Sequence, residues 1–182
     1  MTACGRRAGT RRRGRGGGFT LVELVAVLVI VAVLAAAVAP SLRATDGVRG
    51  AMAAKQLLRD LTFARQRAVA TGARSWVVFD TGAETWTMLA EDPDNPGRAG
   101  ARVLTDPSDG GFYIETLGSG SFIGMSIVSA SFDGASEVGF DWLGRPLNAT
   151  ESDLSAQGTV MLSGGHLVTV AAETGYMAYV SP

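Results

Sequence analysis

The sequence predicts an α+β chain: a long N-terminal helix, half built for lipid and half amphipathic, packed on a head of short antiparallel strands. Three observations predict it. An apolar run of 21 residues, 19–39, contains a single charge, Glu23. Beyond it apolar residues recur at steps of three and four as far as Gly72, after which the step becomes two. Charge divides at nearly the same boundaries. Residues 1–18 hold six arginines and no acid, 43–74 hold seven bases against Asp46 and Asp60, and 75–182 hold three arginines against 14 acids. The formal net charge of −1 therefore averages a basic leader, a basic stalk and an acidic head. With 182 residues there is room for one domain and an appendage. The single cysteine, Cys4, lies in the leader. A chain that has lost its leader can form no disulfide framework, zinc–thiolate site or cysteine nucleophile.

The apolar run comes first. As a helix rising about 1.5 Å per residue it spans roughly 30 Å, the hydrocarbon thickness of a bilayer. The arginines before it favour a cytoplasmic N-terminus, which puts everything after Pro40 across the membrane. A secretory signal could use "AAAVAPS" as its cleavage site, but its core would be long. A signal anchor fits the length yet gives no reason for Glu23, and a buried core helix gives none for the six arginines. A carboxylate in hydrocarbon costs about 2.5–3.5 kcal/mol on insertion scales and is usually functional. Pro40 has no N–H and its ring clashes with the carbonyl four residues back, so a kink or an end of the helix is expected there.

Residues 41–72 form the amphipathic half. Ala54, Leu57, Leu61, Ala64 and Ala68 make a stripe that Leu58 and Val69 widen. Arg49, Lys55, Arg59, Arg65 and Arg67 occupy much of the remainder, and read as a solvated basic face. Contact with nucleic acid or lipid headgroups is the alternative use of such a face. Gly72 suits a helix C-cap.

The head, 73–182, follows. "RSWVVFD" and "ETWTMLAED" around a short "TGA" predict a β-hairpin. Residues 91–111, with "EDPDNPGRAG" and "TDPSDGG", predict a long exposed acidic loop. Further strands are expected in "FYIETL", "MSIVSASF", "EVGFDWLG", "GTVMLSG", "HLVTVAA" and "YMAYVS", with turns at 144–146, 164–165 and 173–175. Glu91, Asp92, Asp94 and Asn95 offer oxygen ligands of the kind Ca²⁺ takes, against the plainer reading of a solvated loop. His166 is the only histidine and shares strand parity with Val168 and Val170; no nucleophile motif accompanies it, so a structural role is expected. Nothing resembles a phosphate-binding loop, a paired-histidine metal motif or a dinucleotide glycine pattern. The expectation is a non-enzymatic chain without cofactor or metal.

The stretch "GFTLVELVAVLVIVAVLAAAVAPSL" resembles the N-terminus of type IV pilins and type II secretion pseudopilins. Glycine, phenylalanine, threonine, leucine, a hydrophobe and glutamate stand in register, and a proline falls 22 residues into the mature chain. The resemblance implies that a prepilin peptidase cuts between Gly18 and Phe19 on the cytoplasmic side and N-methylates Phe19. It implies that Glu23 pairs with the N-terminal amine of a neighbouring subunit during assembly, and that the helix continues past Pro40 slightly bent. "VGFDWLGRPL" and "GTVMLSGGHLVTVAAETGYMAYV" are similar to the minor pseudopilin H domain shared with the FimT and FimU minor pilins, over about 55–180. The resemblance rests on Phe140, Gly144, Arg145, Pro146 and the Thr174–Gly175 hairpin, for which turn geometry is sufficient reason. The C-terminal cysteine pair of many pilins is missing, and Glu23 is unlike the tip subunit K. What this implies is a single-pass inner-membrane subunit with a periplasmic head. Its partners would be the peptidase, other pseudopilins or minor pilins in a helical filament, and the secretion system's inner-membrane platform. The alternatives are a minor type IV pilin that primes pili or binds DNA, and a membrane-anchored enzyme or sensor. The acidic head disfavours nucleic acid, because phosphate contacts need clustered cations.

Overall fold

The structure, a computed structural model, describes residues 20–108 and 110–182, and the side chains of all of these except 36–46. The leader with Cys4, the Gly18–Phe19 junction and the ring of Pro40 lie outside the described residues. Among the described residues one long helix, α1 (Leu21–Thr71), precedes ten short strands. The chain divides into two compact units, Met1–Pro40 and Ser41–Pro182.

In the first unit Thr20 caps α1: its Oγ1 accepts a hydrogen bond from the Glu23 amide at 3.2 Å, and its carbonyl accepts one from Leu24 at 3.1 Å. Glu23 stands in the first turn. From Leu21 to Leu34 the large apolar side chains are exposed on every side of the helix. A helix apolar all round needs an apolar surrounding. Among the described residues no helix is long and apolar enough to cross a membrane; the apolar run of 19–39 begins before and ends after the side chains described.

The second unit is built on the helical stripe. Ala54, Leu57, Leu61, Ala64 and Ala68 are all buried, and Leu58 packs at the margin of the core. Val69 is exposed and does not extend the stripe. Gly72 closes α1 at φ +70°, where a side chain would be strained, with its amide bonded to the Ala68 carbonyl at 3.0 Å.

Two antiparallel sheets face the stripe. The first runs β3 (Arg102–Val103), β2 (Thr85–Ala90), β1 (Ser75–Asp80), β6 (Glu137–Phe140), β7 (Pro146–Leu147), with β4 (Ile114–Thr116) also on β2. The second runs β10 (Met177–Val180), β9 (Leu167–Val170), β8 (Gly158–Leu162), β5 (Ile127–Ser131). Register explains the core. Val77 pairs with Met88 and Val138, Phe79 with Trp86, and Val160 with Val168, so these side chains share inward faces. With the helical stripe they form one buried cluster.

The segment after β2 departs from the expected exposed loop. Asp92 is buried and paired with Arg102, and β3 extends the first sheet. Glu91 accepts the Arg74 amide at 2.8 Å and the Gly97 amide at 2.9 Å. Arg98 pairs with Glu137 at 2.7 Å, and its amide bonds Glu151 at 2.9 Å. The segment is fastened by charge. The exposed reading holds at residues 93–96 and around Pro107, at the tip of the turn where Thr105 bridges Phe112.

Candidate functional site

Two of the expected carboxylates of the acidic segment, Glu91 and Asp92, are already engaged within the head. Asp92 is spent on Arg102 and Glu91 on two backbone amides, while Asp92 also caps the Asp94 amide at 3.2 Å. Among the described residues no group of three or more histidine, cysteine or acidic side chains could hold a metal. His166 is buried; its Nδ1 lies 2.7 Å from the Tyr179 hydroxyl. A Cβ added at Gly50 would fall 2.1 Å from the His166 ring, so the ring lies directly on the helix backbone. That is a packing role, joining β9 and β10 to α1, and no hydroxyl nucleophile stands in a triad with it.

Asp60 is the most constrained charge in the head. It occupies a stripe position of α1 and is buried, where it accepts hydrogen bonds from the Trp86 indole at 2.8 Å, Gln56 at 3.0 Å and the Tyr113 hydroxyl at 3.1 Å. Burial pushes its carboxyl above the ordinary carboxylate range, against the lowering effect of those donors. Tyr113 is raised as well, first by burial and then by the Asp60 charge. The group ties the helix to the first sheet.

Arg65 corrects the reading of a solvated basic face. Its Nε donates to the Gly144 carbonyl at 2.9 Å and a terminal nitrogen donates to the Thr174 carbonyl at 3.1 Å. A Cβ on Gly144 (φ +79°) would lie 3.0 Å from the Arg65 Nε, and one on Gly175 would lie 2.6 Å from the Gly144 carbonyl oxygen. The two glycines that carried the resemblance therefore meet at one arginine of the helix. Arg145 bonds Asp141 at 2.8 Å and Asp153 at 3.2 Å and braces the turn at 141–145; both acids hold its guanidinium above its ordinary value. Arg67 reaches Ser75 at 3.4 Å. Lys55 and Arg59 remain on the exposed face.

The other residues expected from the sequence to act lie at the start of α1, where Glu23 opens a helix apolar all round. An acid in a first helical turn is favoured by the amides that point at it, which gives its position a local rationale. The structure brings Glu23 and Thr20 together; Gly18, Phe19 and the Pro40 ring are outside the described residues.

Fold and N-terminus define a pilin-like chain: the first unit holds an acid-headed apolar helix, and in the second a helical stripe packs on a β-rich head. A profile described as the prokaryotic N-terminal methylation motif matches residues 13–39, and one described as type II transport protein GspH matches 53–172. The chain belongs to the type II transport protein GspH family. A crystal structure of the minor pseudopilin EpsH from the type II secretion system of Vibrio cholerae superposes with a TM-score of 0.55 at 12% identity, covering 74% of this chain and 97% of that one. A second structure of that protein gives 0.54, with 96% of its chain covered. The type IV minor pilin FimU of Pseudomonas aeruginosa gives 0.43 at 12% identity over 71% of this chain and 90% of its own. At these identities the EpsH likeness establishes the fold. No curated protein sequence matches.

Proposed function

We propose that the chain is a minor pseudopilin of a type II secretion system, a non-enzymatic subunit built into a short periplasmic filament that moves proteins across the outer membrane. The observation that carries this reading is the coincidence of two matches in one chain, a methylation motif over 13–39 and a GspH domain over 53–172. In this reading prepilin peptidase removes residues 1–18, Phe19 becomes the methylated N-terminus, and 19–40 anchors the subunit in the inner membrane. The head, carried on 41–72 and 73–182, stands in the periplasm. Pro40 bends the helix between anchor and stalk. The engagement of Arg65 and Arg67 within the head supports assembly over nucleic-acid binding, since it takes two cations of the stalk away from any phosphate-binding face.

Glu23 is the assembly residue. A new α-amine appears four residues before it on cleavage, and a neighbouring copy presents the same amine to it. Paired, the carboxylate is neutralised in hydrocarbon; unpaired, it remains a costly charge. The test is complementation of a strain lacking the chromosomal copy with Glu23→Leu, scored for processed subunit in the membrane and for secretion and piliation. The expected result is normal insertion and processing with secretion lost. Normal secretion, or loss of the protein from the membrane, contradicts the role; loss of piliation alone favours the type IV pilin alternative.

A further inference from the structure

Trp76 is wholly buried, yet it lies outside the cluster that joins the helix to the sheets. Its neighbour Val77 belongs to that cluster, so Trp76 faces the other side of the first sheet. There it pairs with Leu89 on β2 and Gly139 on β6, and Gly139 pairs with Leu147 on β7. A Cβ on Gly139 would fall 2.7 Å from the indole ring, so the ring lies directly on β6. What crosses this outer face is the segment 91–101. Its ends are held together where Ala90 pairs with Arg102, and Asp92 pairs with Arg102 as well. From that neck the segment reaches Glu137 on β6, through Arg98 at 2.7 Å. β1 lies between β2 and β6, and Glu137 shares the outer face with Gly139, so the path runs over Trp76. The Arg98 amide is tied to Glu151 at 2.9 Å.

We propose that residues 91–101 form a charge-latched lid, hinged at its paired neck, which lifts from Trp76 while the rest of the head stays folded. Local opening belongs to units with few buried apolar contacts. Pro93, Pro96 and Ala99 of the lid are exposed, and no residue of 91–101 takes part in the buried cluster. Its ties to the far side of the sheet are polar, Arg98 to Glu137 and the Arg98 amide to Glu151. Closure also carries a cost. The Trp76 indole N–H is buried without a hydrogen-bond partner among the described residues. Such a donor is desolvated for nothing in return, and reaching solvent as the lid lifts recovers that loss. Lifting uncovers an apolar face of Trp76, Leu89 and Leu147. Because the latch is an ion pair, ionic strength sets how often the head shows that face. The device belongs to the head alone and does not rest on the filament reading.

The test is hydroxyl-radical footprinting of the full chain in detergent, with the oxidation of each tryptophan read by mass spectrometry. Trp86, wholly buried on the helix side, and Trp142, 59% exposed, are internal references. In the parent at low salt Trp76 should oxidise at close to the rate of Trp86. Arg98→Gln or Glu137→Gln should each raise Trp76 oxidation about fivefold, the population change that loss of one part-buried ion pair brings, with Trp86 unchanged. Salt at about 1 M, which screens charges beyond about 3 Å, should raise it in the parent and add little in Arg98→Gln. The salt arm uses the unaltered chain, so it decides the matter even where a variant fails to fold. Trp76 as protected as Trp86 in both variants and at high salt would make 91–101 a fixed part of the head and overturn the proposal. So would joint oxidation of Trp76 and Trp86 in the salted parent, which is opening of the whole head. Trp76 oxidised as fast as Trp142 at low salt would leave no closed lid, and overturns it too.

Discussion

Replacing Asp60 should unfasten the helix from the first sheet in a manner its chemistry specifies. Asp60→Ala removes the acceptor of the Trp86 indole, which is wholly buried and has no water to turn to. An orphaned buried donor costs about 1–3 kcal/mol. The Gln56 and Tyr113 bonds go with it, although both partners lie at the margin and can find solvent. A total of about 2–4 kcal/mol is expected, the upper end including the small void left behind. For residues 41–182, which contain the whole buried cluster, unfolding entropy of about 2.1 cal/mol/K per residue converts this to a fall in Tm of about 7–13 °C. Asp60→Asn keeps an oxygen for the indole and should cost less than about 1 kcal/mol at neutral pH. The pH dependence separates charge from packing. Because the folded carboxyl is raised above its ordinary value, its contribution is fully present below the unfolded value of 3.8 and is lost as pH rises through the folded one. The parent should therefore gain stability relative to Asp60→Asn as pH falls from 7 towards 4. Arg59 opposes the shift, while Glu115, itself raised by burial and by Asp60, moves in the same direction. Thermal unfolding followed by circular dichroism across that range is the assay. A parent that loses ground to Asp60→Asn on acidification would refute the reasoning.

Other substitutions test the packing separately. Arg65→Met keeps the aliphatic stem but removes two charge-assisted bonds to carbonyls; at a half-buried site about 2 kcal/mol is expected, read as a Tm lower by about 7 °C. Gly158→Ala would place its Cβ 2.2 Å from the buried Phe132 ring, an overpacking worth about 1–3 kcal/mol in denaturant melts, and Phe132→Leu in the same chain should recover part of it.

The stripe of α1 and the long strands were legible because each writes its burial as a period. Val160 and Leu162 alternate with the outward Met161, and Phe79 lies between the less buried Val78 and the exposed Asp80, and a half-buried strand cannot hide that. The strands β3 and β7 span two residues each, too few to show any period. The segment after β2 misled because its composition is that of a loop, while its fastenings join residues distant in sequence: Arg98 to Glu137, Arg74 to Glu151. Arg65 was indistinguishable from its basic neighbours because both acceptors are backbone carbonyls, 79 and 109 residues away. Asp60 left one trace, an acid inside the stripe between Leu57 and Ala64. At the N-terminus the reverse holds. Glu23 is conspicuous because a carboxylate in an apolar helix has no solvation to lean on, and the local order of glycine, phenylalanine and acid carries the signal without any tertiary contact.

The central claim is that residues 1–18 are a leader cut at a glycine, and the most direct measurement is the intact mass of the membrane-extracted chain with sequencing of its N-terminus. Cleavage after Gly18 predicts a chain beginning at Phe19 with one methyl group on its amine, and a full-length chain accumulating when the peptidase is absent or Gly18 is replaced by a larger residue. An intact leader in the presence of the peptidase, or a terminus after Ala39, would contradict it.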